Sequence, residues 1–387
     1  MRSSRVVFAL IALLGAGTQA QQPAQSWTRQ SLSQLRSWVS AAPDDALPRP
    51  DSSALERAIA GDNPAKVDQA ASDLALRLAQ MHLLGASSAA ERAGWGIADT
   101  DRSIDLRGQL AVALAAGRID DFFAGQRPQH PDYTVLRDAY RAETDPAKKQ
   151  VIGHNMERWR WMPLALGQDY LLVNTAAFEA VRWRGGQRLG TWRVITGKVS
   201  SPTPVFSAMV TGVNLNPWWN VPSNIMRESV GSLIRRSPAT ARARGYVWSG
   251  GSVRQKPGSQ NALGRMKLVM PNRYSVYLHD TPSRDLFDRE VRAFSHGCVR
   301  VGDALGLAEN LLQGTRTRAE IDAIVASNRS VTISLAQPIP VYIAYFTAGT
   351  KADGTFAMFP DIYGRDKRMA RLARGGLADC SSVRARA

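Results

Sequence analysis

Six residues, Ser295-His296-Gly297-Cys298-Val299-Arg300, hold one of the two cysteines in a chain of 387 residues. Gly297 permits a tight turn or the close approach of a substrate. A turn there would expose the Cys298 sulfur and aim backbone N–H groups at an incoming carbonyl oxygen. Arg300 can hold an anion or steady the loop, and a nearby cation favours thiolate. A thiol nucleophile also needs a base. His296 lies two residues back, and His279 nineteen residues back in Tyr277-Leu278-His279-Asp280. Tyr277 and His279 share one face of a strand because side chains alternate. Asp280-Thr281-Pro282 is turn-forming, which places His279 at a strand end, where a long connection can bring it beside Cys298. The residues alone leave four readings open: a Cys/His hydrolase or acyltransferase, a Cys298–Cys380 disulfide, a metal site, and a structural histidine. Zinc is the poorest of these, since there is no Cys-x-x-Cys and no second Cys/His pair at ligand spacing.

The sequence around this stretch is strand-like. Tyr170 to Asn174, Phe178 to Trp183 and Leu189 to Ile195 alternate or run apolar, and Gly185-Gly186 marks a hairpin turn. Further strand patterns occur at Val205-Phe206, Met209-Val210, Met266 to Met270, Tyr274 to His279, Val331 to Leu335 and Val341 to Phe346. Helical spacing covers Ala304 to Leu312 and Arg318 to Ala326. Between Asn220 and Leu263 lies a segment rich in Arg, Ser and Gly, read as a lid-like loop. Trp218 and Trp219 at its start can line a groove or sit in a core beneath the lid.

Residues 21–160 carry the helical period instead. Ala54 to Ile59 ends at Gly61. Asn63-Pro64 opens a run that stops at Gly85, and Leu106 to Leu114 stops at Gly117. Tyr133 to Tyr140 and Ala147 to Trp159 continue the pattern. Trp159 and Trp161 read as packing between the two halves. The expected class is α+β: an all-helical scaffold over 21–160, then a β-rich domain over 161–363 with an insertion at 220–263.

The N-terminus supplies an address. Arg2 and Arg5 precede an apolar run from Val6 to Ala16, and small residues Thr18 and Ala20 follow. This is the pattern of a signal peptide over residues 1–20, cleaved after Ala20, so the periplasm is the expected location. Apolar residues make up 44% of the chain and charged residues 21%, which excludes a mostly disordered chain. Lys plus Arg is 49 against 33 for Asp plus Glu, a net charge of +16. That balance suits anionic partners, and export argues against nucleic acid as the partner. The tail over 364–387 has seven basic residues and two acids. It reads as a solvated tail or as an electrostatic contact with the envelope.

His279, a spacer and Ser295-His296-Gly297-Cys298-Val299-Arg300 together resemble the signature of the L,D-transpeptidases with a YkuD-type catalytic domain. Other stretches resemble the large periplasmic branch of that family: Met156 to Trp161, Asn216-Pro217-Trp218-Trp219-Asn220-Val221-Pro222, Asn261 to Lys267 and Tyr277 to Pro282. The resemblance covers about residues 153–365 in order. It implies a cysteine acyltransferase with Cys298 as nucleophile, His279 as general base and acid, His296 shaping the loop, and the backbone of Gly297 and Cys298 as oxyanion donors. Tyr277, Trp218, Trp219, Ser295, His296 and Arg300 would contact substrate. Donor and acceptor would be peptidoglycan stem peptides, joined 3–3 or 1–3, and carbapenem-type inhibitors would acylate the thiol. The family needs no cofactor or metal. Hydrolytic trimming of stems, release of wall-linked proteins, and a non-catalytic wall-binding role are the alternatives. Two departures stand out: no peptidoglycan-binding module is evident, and the 220–263 insertion is short and basic.

Overall fold

The computed structural model describes residues 26–370. The expected signal peptide, Cys380 and most of the basic tail lie outside the described residues. Among the described residues the first half has seven α-helices, among them Arg29–Ala41, Pro64–Leu84, Leu106–Ala116, Ile119–Gly125, Pro131–Ala142 and Pro146–Trp159. Local sequence fixes their ends. The Asn63 side chain accepts from Lys66 N at the start of Pro64–Leu84, with proline at the first turn and Gly85 beyond the last. Asp105 caps Leu106–Ala116 in the same way, and Gly117 closes it at φ 66°. The apolar stripes of these helices meet in one core that includes Leu35, Leu74, Leu78, Ile119 and Phe123. This half is not purely helical, because Trp95–Gly96 pairs in parallel with Val205 and Phe206 of the sheet.

The sheet of the second half closes on itself. Strand Val205–Leu215 pairs with Val331–Ala344, and the order then runs through Asp169–Asn174, Glu179–Arg184, Gln187–Gly197, Val299–Val301, Leu278–His279 and Met266–Val269. The last of these pairs back with Val205–Leu215. Inside the ring lies an apolar core of Leu171, Val194, Val213, Leu268, Leu278, Val299 and Ile343, extended by helix Ala304–Leu311. The strands next to the helical half are apolar on both faces. Their outer side chains Tyr170, Leu172, Val181 and Trp183 pack with Tyr133, Leu136, Ile152, Met156 and Trp159. Trp159 and Trp161 are both buried at this junction.

Three elements differ from the sequence reading. The two strands expected over 331–346 are one strand, Val331–Ala344, whose register shifts between Ser334 and Ile339 around Pro338. The strand expected over 274–279 is only Leu278–His279. Upstream of it the Asn272 side chain accepts from Tyr274 N and Val276 N and donates to Val276 O, which replaces ladder bonds with a turn. The segment over 220–263 is folded rather than a loop. Helical turns run from Ser223 to Ala243, and a three-stranded sheet is made by Trp219–Asn220, Ser252–Gln255 and Tyr246–Ser249. Trp219, Val221, Val230, Val253 and Leu263 form its own small core.

Candidate active site

Strand pairing assembles the site. Leu278 and Val299 are opposite each other in a parallel pair, as are His279 and Arg300. Leu278, Val299 and Val301 are fully buried inside the ring. Alternation therefore sends Tyr277, His279, Cys298 and Arg300 to the other face together. On the far side of His279 the antiparallel partner is Lys267, between the buried Met266 and Leu268. Five polar side chains thus share one face of three adjacent strands.

Cys298 is a half-buried free thiol. Burial pushes its pKa up, while the backbone and hydroxyl of Tyr277 and the charges of Lys267 and Arg300 pull it down. His279 is buried, and its Nδ1 donates to the backbone oxygen of Asp280. Burial, then the Arg300 charge, hold its pKa at about 3. The imidazole is therefore neutral at physiological pH, with Nδ1 protonated and Nε2 bare. Its ring lies edge-on to Tyr277, with centroids 5.5 Å apart. No hydrogen bond joins His279 to Cys298 here, and the sulfur rests 3.9 Å from Ser275 O.

The loop that carries Cys298 is held from beneath. Gly297 has φ 114°, a conformation other residues adopt only with strain. Its carbonyl accepts from Thr203 Oγ1, which in turn accepts from Gly197 N. The Ser295 hydroxyl donates to Cys298 O and accepts from Gly297 N at 3.1 Å. Two expectations are corrected by these bonds. Ser295 is buried under the loop and faces no groove. The Gly297 N–H is occupied by Ser295, so the donor left for an oxyanion in this loop is the N–H of Cys298.

A groove of about 570 Å³ opens beside the site, lined by Trp218, Arg254, Lys267, Asn272, Ser275 and Tyr277 among others. Trp218 stacks under the Arg254 guanidinium, 4.6 Å from its ring centre. Trp219 is not in the groove. It is buried in the core of the insertion, against which Tyr277 also packs. His296 is half-buried. Its Nε2 lies 2.7 Å from Glu228 Oε2, and Lys198 Nζ lies 3.3 Å from the same carboxylate. Glu228 belongs to the insertion, so this trio ties the insertion to the loop that carries Cys298. The sequence reading missed Glu228, Lys198 and Lys267. A signal for Glu228 was present, since it is the one acid of 220–263. No group of three His, Cys, Asp or Glu side chains suited to a metal occurs among the described residues.

Residues 168–325 match the family model of the L,D-transpeptidase catalytic domain, YkuD. This stretch is a YkuD-type L,D-transpeptidase domain. Residues 19–139 match the Scaffold domain model, so a helical Scaffold domain precedes the transpeptidase domain. A Haemophilus influenzae protein that carries the provisional name L,D-transpeptidase is 31% identical over 245 residues. That match spans 57% of this chain and 49% of the relative, so the chain covers about half the relative's length. Among solved structures, an L,D-transpeptidase from Mycobacterium smegmatis is 12% identical, with 46% of this chain and 58% of that one covered and a TM-score of 0.25. L,D-transpeptidase 3 from Mycobacterium tuberculosis, in complex with a faropenem-derived adduct, is 14% identical over 46% of this chain and 60% of that one, with a TM-score of 0.24. These two overlaps are too partial to bear on the site.

Proposed function

We propose that this protein is an exported, periplasmic peptidoglycan L,D-transpeptidase in which Cys298 is the nucleophile and His279 the general base and acid. The observation that carries the reading is the shared face of Tyr277, His279, Cys298 and Arg300, set by one parallel strand pair. In the resting site both thiol and imidazole are neutral, because burial raises one pKa and depresses the other. Proton transfer from Cys298 to Nε2 of His279 then accompanies attack rather than preceding it, and Lys267 and Arg300 steady the sulfur as it gains charge. The sulfur attacks the carbonyl between the L-centre of diaminopimelate and D-Ala, and the N–H of Cys298 faces the developing oxyanion. Imidazolium gives its proton to the leaving D-Ala amine. An amine of a neighbouring stem then attacks the thioester, its proton passes to His279, and the thiolate recovers a proton as the new amide forms. Carbapenem-type inhibitors present a strained carbonyl to the same thiol.

The test is incubation of the purified protein with tetrapeptide muropeptides, followed by mass spectrometry. The reading expects cross-linked dimers, and fragmentation assigns them as 3–3 or 1–3. Tripeptides without dimers would instead make the protein a hydrolase, and unchanged muropeptides would leave the non-catalytic, wall-binding reading.

A further inference from the structure

We propose that Lys267 and Arg300 form a carboxylate-binding site beside the nucleophile, selecting donors that carry a carboxylate close to the scissile bond. The proposal deepens the transpeptidase reading and rests on it. Lys267 and Arg300 are the two strand neighbours of His279, one on each side, so His279 lies between two cations. Lys267 lines the groove, with its Nζ 4.0 Å from the Tyr277 ring centre.

Both cations are partly withdrawn from water, yet neither makes a salt bridge or a side-chain hydrogen bond among the described residues. The fully buried cations among the described residues are each paired. Arg158 sits on Asp366, Arg160 on Glu157 and Arg182 on Asp169. The carboxylate nearest in sequence to His279, Asp280, is already used: it accepts from the N–H of Arg265 and pairs with Arg284. The Cys298 thiol is neutral at rest and offers no counter-charge. Withdrawing a cation from water without a partner is costly, and two such cations flanking His279, with Lys267 in the wall of the open groove, form a receptor for an anion.

The anion must be close to the reacting carbonyl. Arg300 is two residues along the strand from Cys298 and Lys267 is two strands away, backbone separations of about 7 and about 10 Å that their long side chains shorten, and both charges act on the sulfur, so a group held by either is within about two residues of it. A stem tetrapeptide has two carboxylates within that reach. One terminates the leaving D-Ala, and the other ends the diaminopimelate side chain.

The experiment uses three donors: the unmodified tetrapeptide, its C-terminal amide, and the form amidated on the diaminopimelate side chain. Acyl-enzyme formation is followed by intact mass in the wild type, Lys267→Met and Lys267→Arg. The wild type should react about 10- to 100-fold more slowly with the amide that removes the recognised carboxylate, and which amide suffers identifies the source. Lys267→Met should react slowly with all three donors and lose most of the preference, and Lys267→Arg should recover it. Equal reaction of the wild type with all three donors would overturn the proposal without reference to any variant. So would an undiminished preference in Lys267→Met. If no donor acylated the wild type, the transpeptidase reading itself would fall, a result distinct from equal reaction.

Discussion

The imidazole of His279 donates through Nδ1 to the backbone oxygen of Asp280, its own neighbour in the chain. A backbone acceptor cannot titrate, so it fixes the tautomer with Nε2 free to take a proton at any pH where the site is folded. Because burial and Arg300 hold the pKa at about 3, turnover should show no acidic limb near pH 6.5. His279→Ala should lower acylation by about 100-fold or more, the usual scale for general acid–base help. A limb near pH 6.5 that vanished in His296→Ala would reassign the base.

Acid should destabilise the fold earlier than carboxylate titration alone requires. His82 and His279 are held neutral by burial with pKa values of about 3, and His130 by burial at about 4. The unfolded chain protonates each near pH 6.5. The unfolded state therefore binds more protons below that pH, and stability present above pH 6.5 is lost as pH falls toward 4. Each histidine contributes about 1.4 kcal/mol per pH unit across that window. Urea midpoints at pH 7, 6, 5 and 4 would measure the slope. His82→Leu should flatten it, since both His82 ring nitrogens are buried without a partner. A flat profile between pH 6.5 and 4.5 would contradict this.

Glu228 holds His296 and Lys198 together across the gap between insertion and loop. The pair is exposed, so breaking it should cost little in global stability. Glu228→Gln should leave the melting temperature nearly unchanged while hydrogen exchange rises across residues 223–243. Acylation by stem peptides should fall about 5-fold or less. Unchanged exchange in that segment would show that the insertion is held by its own core alone.

The backbone and hydroxyl of Tyr277 pull the pKa of the Cys298 thiol down against the upward push of burial. The hydroxyl favours the thiolate, so Tyr277→Phe should move the pH profile of Cys298 alkylation to higher pH. The wild-type profile should itself rise above neutrality, because burial raises the thiol pKa. Coincident profiles for the two proteins would remove the hydroxyl from the account.

The sequence shows the ends of Pro64–Leu84 and Leu106–Ala116 because asparagine, aspartate, proline and glycine act there through local backbone geometry. The hairpin at Gly185-Gly186 is legible for the same reason. Cys298 and His279 stand out in the sequence as candidates, since a cysteine after glycine and a histidine before a turn are local facts. The rest depended on pairing. Lys267 reads as an ordinary exposed residue of an alternating strand until the register sets it opposite His279. Trp218 and Trp219 are indistinguishable in sequence, and the insertion's core takes one while the groove takes the other. Ser295 looked like a substrate contact because of its position, but the turn at Gly297 directs its hydroxyl back to the loop.

The central claim is that Cys298 carries the acyl group. Intact-mass spectrometry of the wild type and Cys298→Ala after brief exposure to stem tetrapeptide tests it most directly. The account predicts a wild-type adduct equal to the donor less its terminal D-Ala, mapped by peptide digestion to Cys298, and no adduct on the folded variant. An adduct on another residue, or cross-linking that persisted in folded Cys298→Ala, would contradict it.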